Sequence, residues 1–328
     1  MAAFHRSRAR GASLLLILAF IISACGAGAT TAPIQTLAAT PTVAPTLAPT
    51  ATPAPAFPVT ITDDEGTAVT IAAEPQKIVA LTPAATETLY AIGAGDRVVG
   101  KVEDITPYPP AADNVPVVAK VGTVDIEKIV SFKTDLVIAG GLGFTPTAAI
   151  TQLRGLGIPV IVLYANSIAQ ALTGIRAVGA ATGRLAEATT LTTSMQSEVD
   201  RLSALTASLP KPKTFYEIDA TTDIYTIPAT SLWSDMLKRA GADPVTTGSS
   251  YVISLEQVIA ANPGVILLGD GGYTKPADVI ARPGWSGIKA VIDKKIFPVD
   301  DTLVTRPGPR LVDGLKALIA ALHPEVAL

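Results

Sequence analysis

The stretch RLAEATTLTTSMQSEVDRLSALTASL, residues 184–209, decides how the chain is organised. It shows no strand pattern, and its apolar side chains recur at steps of three and four residues: Leu185, Ala188, Leu191, Met195, Val199, Leu202 and Leu205. That spacing predicts one apolar face on a helix of about 24 residues, which is long for a globular domain. Pro210 and Pro212 end it. Such a helix would join the segments on either side stiffly.

Short runs of β-branched and aliphatic residues lie on both sides of this helix. They are residues 77–81, 97–100, 136–139 and 160–163 before it, and 214–218, 265–268 and 296–299 after it. Stretches of helical period separate them. Apolar strands that alternate with helices are typical of sheets covered on both faces. We therefore predict an α/β fold, with two separate cores in the roughly 270 residues that follow residue 56.

The two flanking segments resemble each other. Residues 125–138, DIEKIVSFKTDLVI, align with residues 254–267, SLEQVIAANPGVIL. Each begins with a helix-capping residue, continues with a Glu two positions later and an apolar helix face, and ends in a buried strand. A second similarity pairs residues 86–94 with 234–242. The offsets of 129 and 148 residues differ, so we predict two similar lobes of unequal length with a cleft between them.

The first 24 residues read as a targeting signal. Arg6, Arg8 and Arg10 precede an apolar run over residues 12–22, which is too short to span a bilayer. The run leads into ISAC at residues 22–25, which resembles the bacterial lipobox. We expect cleavage before Cys25, the only cysteine in the chain, and lipidation of its thiol. Two or more acyl chains would hold the protein stably on a membrane.

Residues 25–56 predict a disordered tether. No charged residue occurs from Gly26 to Thr62, and seven prolines between Pro33 and Pro58 are mixed with Thr and Ala. Such a segment buries too little apolar surface to fold, and when extended it would reach on the order of 100 Å. We divide the rest into an N-terminal lobe over residues 57–167, connecting helices over 168–209 and a C-terminal lobe over 210–328.

The composition excludes several classes of function. The chain holds two histidines, His5 in the signal and His323 near the C-terminus, so no His-based catalytic centre or zinc cluster can be built in the body. It also lacks a Gly-x-Ser-x-Gly elbow and a P-loop. We therefore expect no catalytic residue, no metal site and no cofactor. Without the signal the chain has 22 basic and 28 acidic residues, which argues against nucleic-acid binding.

Four segments in order behind the lipobox resemble a known family. They are IVALTPAATE (78–87), the Glu127 segment ending in TDLVI (134–138), RPGPR (306–310) and LHPE (322–325). With the long helix, they resemble the helical-backbone class of ABC-importer solute-binding proteins, in the type 2 periplasmic-binding-protein superfamily, which serve cobalamin, ferric siderophores and haem. The resemblance covers the chain from about Phe57 onward. It implies two α/β lobes with mostly parallel central sheets, joined by one long rigid helix, and a ligand cleft between them.

The resemblance also implies which residues form the site. Ligand contacts are expected from both lobes, at Thr82, Pro83, Ala84, Ile105, Val121, Gly122, Gly141, Leu142, Tyr225, Ser250, Tyr251 and Arg306. The tyrosines offer an apolar face and a hydroxyl, and Arg306 can pair with an anionic ligand group. Position 121 is Val where cobalamin binders tend to have Trp, and no His is placed as a haem ligand. Arg306 and the tyrosines favour an anionic ferric chelate, but the ligand stays open.

In this family, one acidic residue on each lobe docks onto arginines of the membrane permease, and Glu127 and Glu256 match those positions. Both would also suit an ordinary first helical turn, where a carboxylate complements the cap and the helix dipole. We expect a monomeric extracytoplasmic protein, held at the membrane only by its lipid. It would deliver a metal chelate, cobalamin or a ferric siderophore, to an ABC permease and its ATPase. A chelate-modifying enzyme and a sensory lipoprotein on the same fold are the alternatives.

Overall fold

The computed structural model describes residues 57–269 and 272–328. The first part of this body holds eight strands: β1 (Val59–Thr62), β2 (Ala68–Ile71), β3 (Ile78–Ala80), β4 (Val98–Val102), β5 (Val117–Lys120), β6 (Thr123–Val124), β7 (Leu136–Gly140) and β8 (Val160–Leu163). Its helices are α1 (Pro83–Ala91), α2 (Ile126–Ser131) and α3 (Thr147–Gly155). Two longer helices follow, α4 (Ile168–Ala181) and α5 (Leu185–Thr206).

The second part begins after α5. Its strands are β9 (Lys213–Asp219), β10 (Ile224–Thr226), β11 (Asp243–Pro244), β12 (Val252–Ile253), β13 (Val265–Leu268) and β14 (Ile296–Pro298). Its helices are α6 (Leu232–Arg239), α7 (Leu255–Ala261), α8 (Pro276–Ala281), α9 (Lys289–Ile292), α10 (Asp301–Val304) and α11 (Leu311–Leu322). Short 3-10 turns occur in the first part at Gly95–Arg97 and Pro110–Ala112.

Each part is built on one six-stranded sheet. The first has the order β6-β5-β4-β3-β7-β8 and is parallel except at β6. The second has the order β12-β10-β9-β13-β14, with β11 beside β9. Its strands are parallel except β10, which is antiparallel to both of its neighbours, β9 and β12. The predicted α/β fold with two mostly parallel sheets is confirmed. The sequence analysis did not predict the separate antiparallel hairpin of β1 and β2.

The predicted internal similarity is strongest at the centre of each sheet. Helix α2 followed by β7 corresponds to α7 followed by β13, and each strand pairs in parallel with the first central strand of its lobe, β3 or β9. The similarity ends at the neighbouring strand, because β4 is parallel to β3 whereas β10 is antiparallel to β9. Only residues 220–223 connect β9 to β10. A connection that short can reverse the chain but cannot return it for parallel pairing.

The hydrophobic core differs from the prediction of two separate cores. Strand side chains alternate between the two sheet faces, so Val79 and Val137 pack in an N-terminal core, and Phe215 and Ile266 pack in a C-terminal one. The opposite faces contribute to a third core that contains residues of both lobes. Its members include Ile78, Ile138, Ile175, Met195, Val199, Tyr216, Leu267 and Leu315. The lobes therefore share one continuous apolar interior through α4, α5 and α11.

Helix α5 is the predicted long helix, with 22 residues. Ala188, Met195, Val199 and Leu202 are buried as the pattern predicts, whereas the end residues Leu185 and Leu205 are exposed. Thr192 and Thr206, which the apolar pattern did not include, are buried on the same helix. The Thr192 hydroxyl donates to the Ala188 carbonyl oxygen, 2.8 Å away, which satisfies its polar group inside the core. The buried face is thus less purely apolar than predicted, because it includes Thr192 and Thr206 and leaves out Leu185 and Leu205.

Candidate functional site

The candidate ligand site lies at the loops that follow the parallel strands of the two sheets. In open α/β sheets, ligands bind at the carboxyl ends of the strands. Asp104 follows β4 in the N-terminal lobe, and Arg306 follows β14 and α10 in the C-terminal lobe. Their side chains meet, with Arg306 Nη2 donating to Asp104 Oδ1 at 2.8 Å. The carboxyl edges of the two sheets therefore face each other, and the cleft of this fold lies between them.

The predicted turn Thr82-Pro83-Ala84 begins α1 at this edge. The Thr82 hydroxyl accepts the Ala85 N–H at 3.0 Å, and Pro83 occupies the first helical position, where a missing N–H costs nothing. Ala84 is buried against Gly308 of the other lobe, since a Cβ at Gly308 would lie 3.6 Å from it. The turn is fixed by its own cap and by packing between the lobes, and Thr82 and Pro83 stay partly accessible.

Three predicted apolar residues stand in solvent on separate loops of the N-terminal lobe. The exposed fractions are 90 % for Ile105, 80 % for Val121 and 72 % for Leu142. Gly122 has a φ of 77° next to Val121, and Leu142 itself has a φ of 56°, in the left-handed region that aliphatic residues rarely adopt. The three exposed side chains therefore offer apolar surface to a ligand at this edge of the sheet.

Gly141 has a packing role beside this surface. It is buried, and a Cβ at this position would overlap the ring of Tyr164. The Tyr164 hydroxyl donates to the Asp64 carbonyl oxygen at 2.9 Å, which fixes the ring. The close approach of ring and backbone explains why residue 141 is Gly.

The C-terminal lobe contributes aromatic residues. Tyr225 lies half-buried on β10, and Tyr251 is exposed just before β12, with its ring edge-on to Trp233 at a centroid distance of 6.5 Å. Tyr273, in the loop after β13, is also highly exposed and was missed. Its position in a Gly-rich turn after a buried strand is a signal that could have found it. Trp285 packs in the C-terminal core, 6.1 Å from Phe215.

A group of four ionised residues, the interlobe ion cluster, joins the lobes at the cleft: Glu87, Asp104, Arg306 and Arg310. Arg306 donates to both oxygens of Asp104 at 2.8 and 2.9 Å and to Glu87 at 3.0 Å. Arg310 donates to both oxygens of Glu87 at 2.7 and 3.0 Å, and its guanidinium lies 4.3 Å from the centre of the Tyr108 ring. In this structure, Arg306 is thus engaged by two carboxylates of the protein.

The interlobe ion cluster is removed from water. The Glu87 side chain is 1 % exposed and that of Arg306 is 12 % exposed. Hydrogen bonds from Arg310 to Glu87 raise the pKa of the Arg310 guanidinium. Nearby, burial and the adjacent Asp300 raise the pKa of the Asp301 carboxyl. Buried charges are tolerated when each is paired and hydrogen-bonded, as in this cluster, and removing one partner is costly.

Glu127 and Glu256 occupy equivalent places on the two lobes. Each is exposed in the first turn of a short helix, α2 or α7. Asp125 caps α2 by accepting the Lys128 N–H, and Ser254 forms a capping box with Gln257. A hydrogen bond with its own backbone N–H, and then one with Ser254, lower the pKa of Glu256. Among the described residues, neither glutamate lies within ion-pair distance of a Lys or Arg.

A separate groove of about 540 Å³ lies between α5 and α11, and none of the predicted site residues lines it. It is lined by Ser194, Met195, Ser197, Glu198, Arg201, Pro309, Val312, Asp313 and Lys316. Within residues 57–269 and 272–328, no three His, Cys, Asp or Glu side chains are grouped so as to hold a metal ion. Nor does any helix in that part of the chain have the length and apolar character needed to cross a membrane.

Solved structures with the same architecture define the class of protein. The periplasmic haem-binding protein RhuT of Roseiflexus sp. RS-1 superimposes with a TM-score of 0.69 at 25 % identity, over 76 % of this chain and 98 % of that one. The periplasmic vitamin B12-binding protein BtuF of Vibrio cholerae gives 0.66 at 25 % identity, over 76 % and 96 %. The fold is that of a two-lobed periplasmic binding protein.

Sequence comparison gives the family. Residues 78–303 match the periplasmic binding protein family model. The ABC transporter substrate-binding lipoprotein YvrC of Bacillus subtilis is 37 % identical over 281 residues, 82 % of this chain and 87 % of that protein. A cobalamin-binding protein of Halobacterium salinarum is 28 % identical over 82 % of this chain and 75 % of its own length. The chain belongs to the periplasmic binding protein family and is an extracytoplasmic solute-binding protein.

Proposed function

We propose that this protein captures a metal chelate, with a corrinoid as the first candidate, and delivers it to an ABC permease and its ATPase. The observation that carries the proposal is the exposure of Ile105, Val121 and Leu142 on three loops at the facing edge of one sheet. Large apolar side chains gathered at a cleft mark a ligand surface. Relatives named as cobalamin-binding and vitamin B12-binding proteins support the corrinoid.

The opposite wall would be aromatic. Tyr225, Tyr251 and Tyr273 present rings and hydroxyls, which suit a flat amphipathic chelate with amide or hydroxyl groups on its rim. The partly accessible turn at Thr82 and Pro83 and the backbone at Gly122 would complete the N-terminal wall, and the buried residues Ala84 and Gly141 would shape it from beneath. We infer that the ligand is bound without being chemically changed, which distinguishes this proposal from a chelate-modifying enzyme.

Binding measurements test the proposal. Leu142→Ser and Ile105→Ser should each weaken binding of vitamin B12 by roughly tenfold, because each removes about 1–2 kcal/mol of apolar burial. Ile292→Ser is the matched control, since Ile292 is equally apolar and exposed but lies on α9, away from the cleft edge. Isothermal titration with vitamin B12, haem and a ferric siderophore would identify the chelate. Binding of none of these chelates would contradict the proposal and favour a sensory role.

The anchor belongs to the same proposal. The signal over residues 1–24, Cys25 and the tether over 25–56 lie outside the described residues, and a relative named as a lipoprotein supports lipidation of Cys25. We also propose that residues 57–167 and 210–328 form the two lobes, with connecting helices over residues 168–209. The protein would be a monomer. Cys25→Ser should release the protein into the soluble fraction with its ligand affinity unchanged. If the variant stayed in the membrane pellet after a salt wash, the anchor would lie elsewhere.

A further inference from the structure

The charges at the cleft edge are unevenly balanced. Beyond the interlobe ion cluster, the carboxyl edge of the C-terminal sheet carries Asp219 at the end of β9, Asp223 in the next loop, and Asp300 and Asp301 after β14. In the described loops of this edge, Lys275 is the only further basic residue of that lobe. On the N-terminal side, Lys120 is paired with Glu103 at 3.3 Å. Acidic groups therefore outnumber basic ones around the cleft.

Arg306 cannot serve an anionic ligand without a cost. Its two terminal nitrogens already contact Asp104, Glu87 and the Thr106 hydroxyl, at 2.8 to 3.0 Å. An incoming carboxylate would have to displace Asp104, whose side chain is almost fully buried. A buried carboxylate left without its partner is strongly unfavourable. The same anion would also approach the remaining acidic groups of the edge, and repulsion of this kind is an effective means of rejecting a wrong ligand.

We propose that the interlobe ion cluster is a charge filter for the cleft, which admits neutral or cationic metal chelates and rejects anionic ones. The inference rests on the proposed function, and it reverses the sequence-based expectation that Arg306 receives an anionic group. Asp104 is the specificity-determining residue, because it occupies the guanidinium that would otherwise attract an anion. Glu87 supports it by holding Arg306 and Arg310 together from α1.

Ligand pairs that differ mainly in charge provide the test. Vitamin B12 would be compared with a derivative in which one side-chain amide is hydrolysed to a carboxylate, and haem dimethyl ester would be compared with haem. For the chelate that binds, we expect the neutral member to bind at least about tenfold more tightly than the anionic one. Equal affinities for the two members of that pair would overturn the charge filter and leave the proposed function intact. If neither pair bound but an anionic ferric siderophore did, the charge filter would be overturned and the proposed function would stand. If the siderophore also failed to bind, the proposed function would fall, and this inference with it.

Two variants assign the effect to Asp104. Asp104→Asn removes one of the two carboxylates that neutralise the Arg306 guanidinium. It should bring the affinity ratio of the pair close to one, mainly by strengthening binding of the anionic member. Glu103→Gln removes the same charge from the neighbouring position, but its exposed pair with Lys120 leaves Arg306 engaged, so the ratio should change little. If Asp104→Asn and Glu103→Gln changed the affinity ratio equally, selectivity would depend on the total charge of the cleft. Asp104 would then not be the specificity-determining residue. Should Asp104→Asn fail to fold, Thr106→Ala removes another hydrogen-bond partner of Arg306 and should narrow the affinity ratio of the pair. An unchanged ratio in that variant would overturn the proposal.

Discussion

At the scale of single residues, buried carboxylates tie distant segments of this protein together. Glu217, on β9, is almost fully buried and accepts two hydrogen bonds from Arg282, at 2.6 and 2.7 Å. The Arg282 guanidinium also lies 4.8 Å from the centre of the Trp285 ring. This pair connects the end of α8 to the middle of the sheet, because Arg282 is the residue that caps that helix. Bidentate geometry of this kind is among the stronger ionic interactions in proteins.

Glu217→Gln is expected to lower the free energy of unfolding by about 3 kcal/mol, because it leaves the Arg282 charge enclosed without its partner. Urea unfolding followed by circular dichroism measures the loss. Asp293→Asn is the control in the same lobe, since its pair with Lys289 is exposed and such pairs contribute little. If the two variants behaved alike, Glu217 would not be the internal tie that its burial indicates.

Ion pairs between residues far apart in the chain could not be predicted from the sequence. Glu87 and Arg310 are 223 positions apart, and Glu217 and Arg282 are 65 apart. Glu217 looks like an ordinary polar residue of a strand, and the family segments that contain Glu87 and Arg310 give no sign that these two side chains meet. Arg306 was predicted at the cleft, but its partner Asp104 carries no local signal that distinguishes it from other loop carboxylates. By contrast, Ile105 and Leu142 could be placed on loops at the sheet edge from the sequence, because each follows a strand with a clear apolar pattern.

At the scale of elements, the contact between α4 and α5 depends on one glycine. A Cβ at Gly179 would overlap the Cβ of Ala188 and lie 2.9 Å from the Arg184 carbonyl oxygen. The helices can approach this closely only because residue 179 has no side chain. Gly174, one and a half turns earlier on α4, has no atom within 4 Å of the corresponding position. Gly174 is therefore a suitable control for Gly179, because it lies on the same helix but outside the helix contact.

Gly174→Ala should stabilise the protein by up to about 1 kcal/mol, because Ala is a better helix former than Gly. Gly179→Ala gains the same propensity but must push α4 and α5 apart, so it should destabilise the protein, by about 1–3 kcal/mol. Thermal unfolding of both variants checks the sign of each change. Stabilisation by both would mean that the helix contact adapts without cost.

Elements with a strong local pattern were predicted well. The apolar period of α5 and the repeated cap-x-Glu helix followed by a buried strand both appear in the structure. The hairpin of β1 and β2 was missed because each strand has only four residues, and alternation over so short a stretch resembles a loop. Strand β10 was also missed, because it has only three residues, two of them half-buried, and forms no apolar run that the sequence pattern could show.

At the scale of the whole molecule, the shared core governs how the lobes can move. Side chains of both sheets pack with α4, α5 and α11 in one apolar cluster, and Asp235 on α6 accepts the Ile168 N–H that begins α4, at 2.9 Å. Moving one lobe far from the other would expose this surface to water, and the free-energy cost would be about 25 cal/mol for each Å² of apolar area exposed. The lobes are therefore held as one body, and ligand entry would involve only small rearrangements.

Because the two lobes are held as one body, the distance between the exposed residues Glu127 and Glu256 is fixed. If Glu127 and Glu256 dock onto permease arginines, their fixed separation defines how the protein sits on its importer. Reversal of both, Glu127→Lys with Glu256→Lys, should reduce uptake much more than either single reversal. Each change replaces an attraction by a repulsion, and like-charge contacts at an interface can cost several kcal/mol. Uptake of the identified chelate by cells that carry the matched importer measures the effect, with ligand affinity determined separately on the purified variants.

Glu187 supplies the matched control for this docking prediction. It is another exposed first-turn glutamate, on α5, where Arg184 contacts it at 3.2 Å. Glu187→Lys changes the net charge as each single docking reversal does, so it should leave uptake nearly normal. Exposed charges are screened over about 8–10 Å at physiological salt, so raising the ionic strength should slow docking of the natural protein to its permease. The docking rate of the double variant, which lacks the two attractive charges, should depend less on salt. Normal uptake by the double reversal would leave Glu127 and Glu256 as ordinary residues of a first helical turn, and the lobes would have to be oriented on the permease by other contacts.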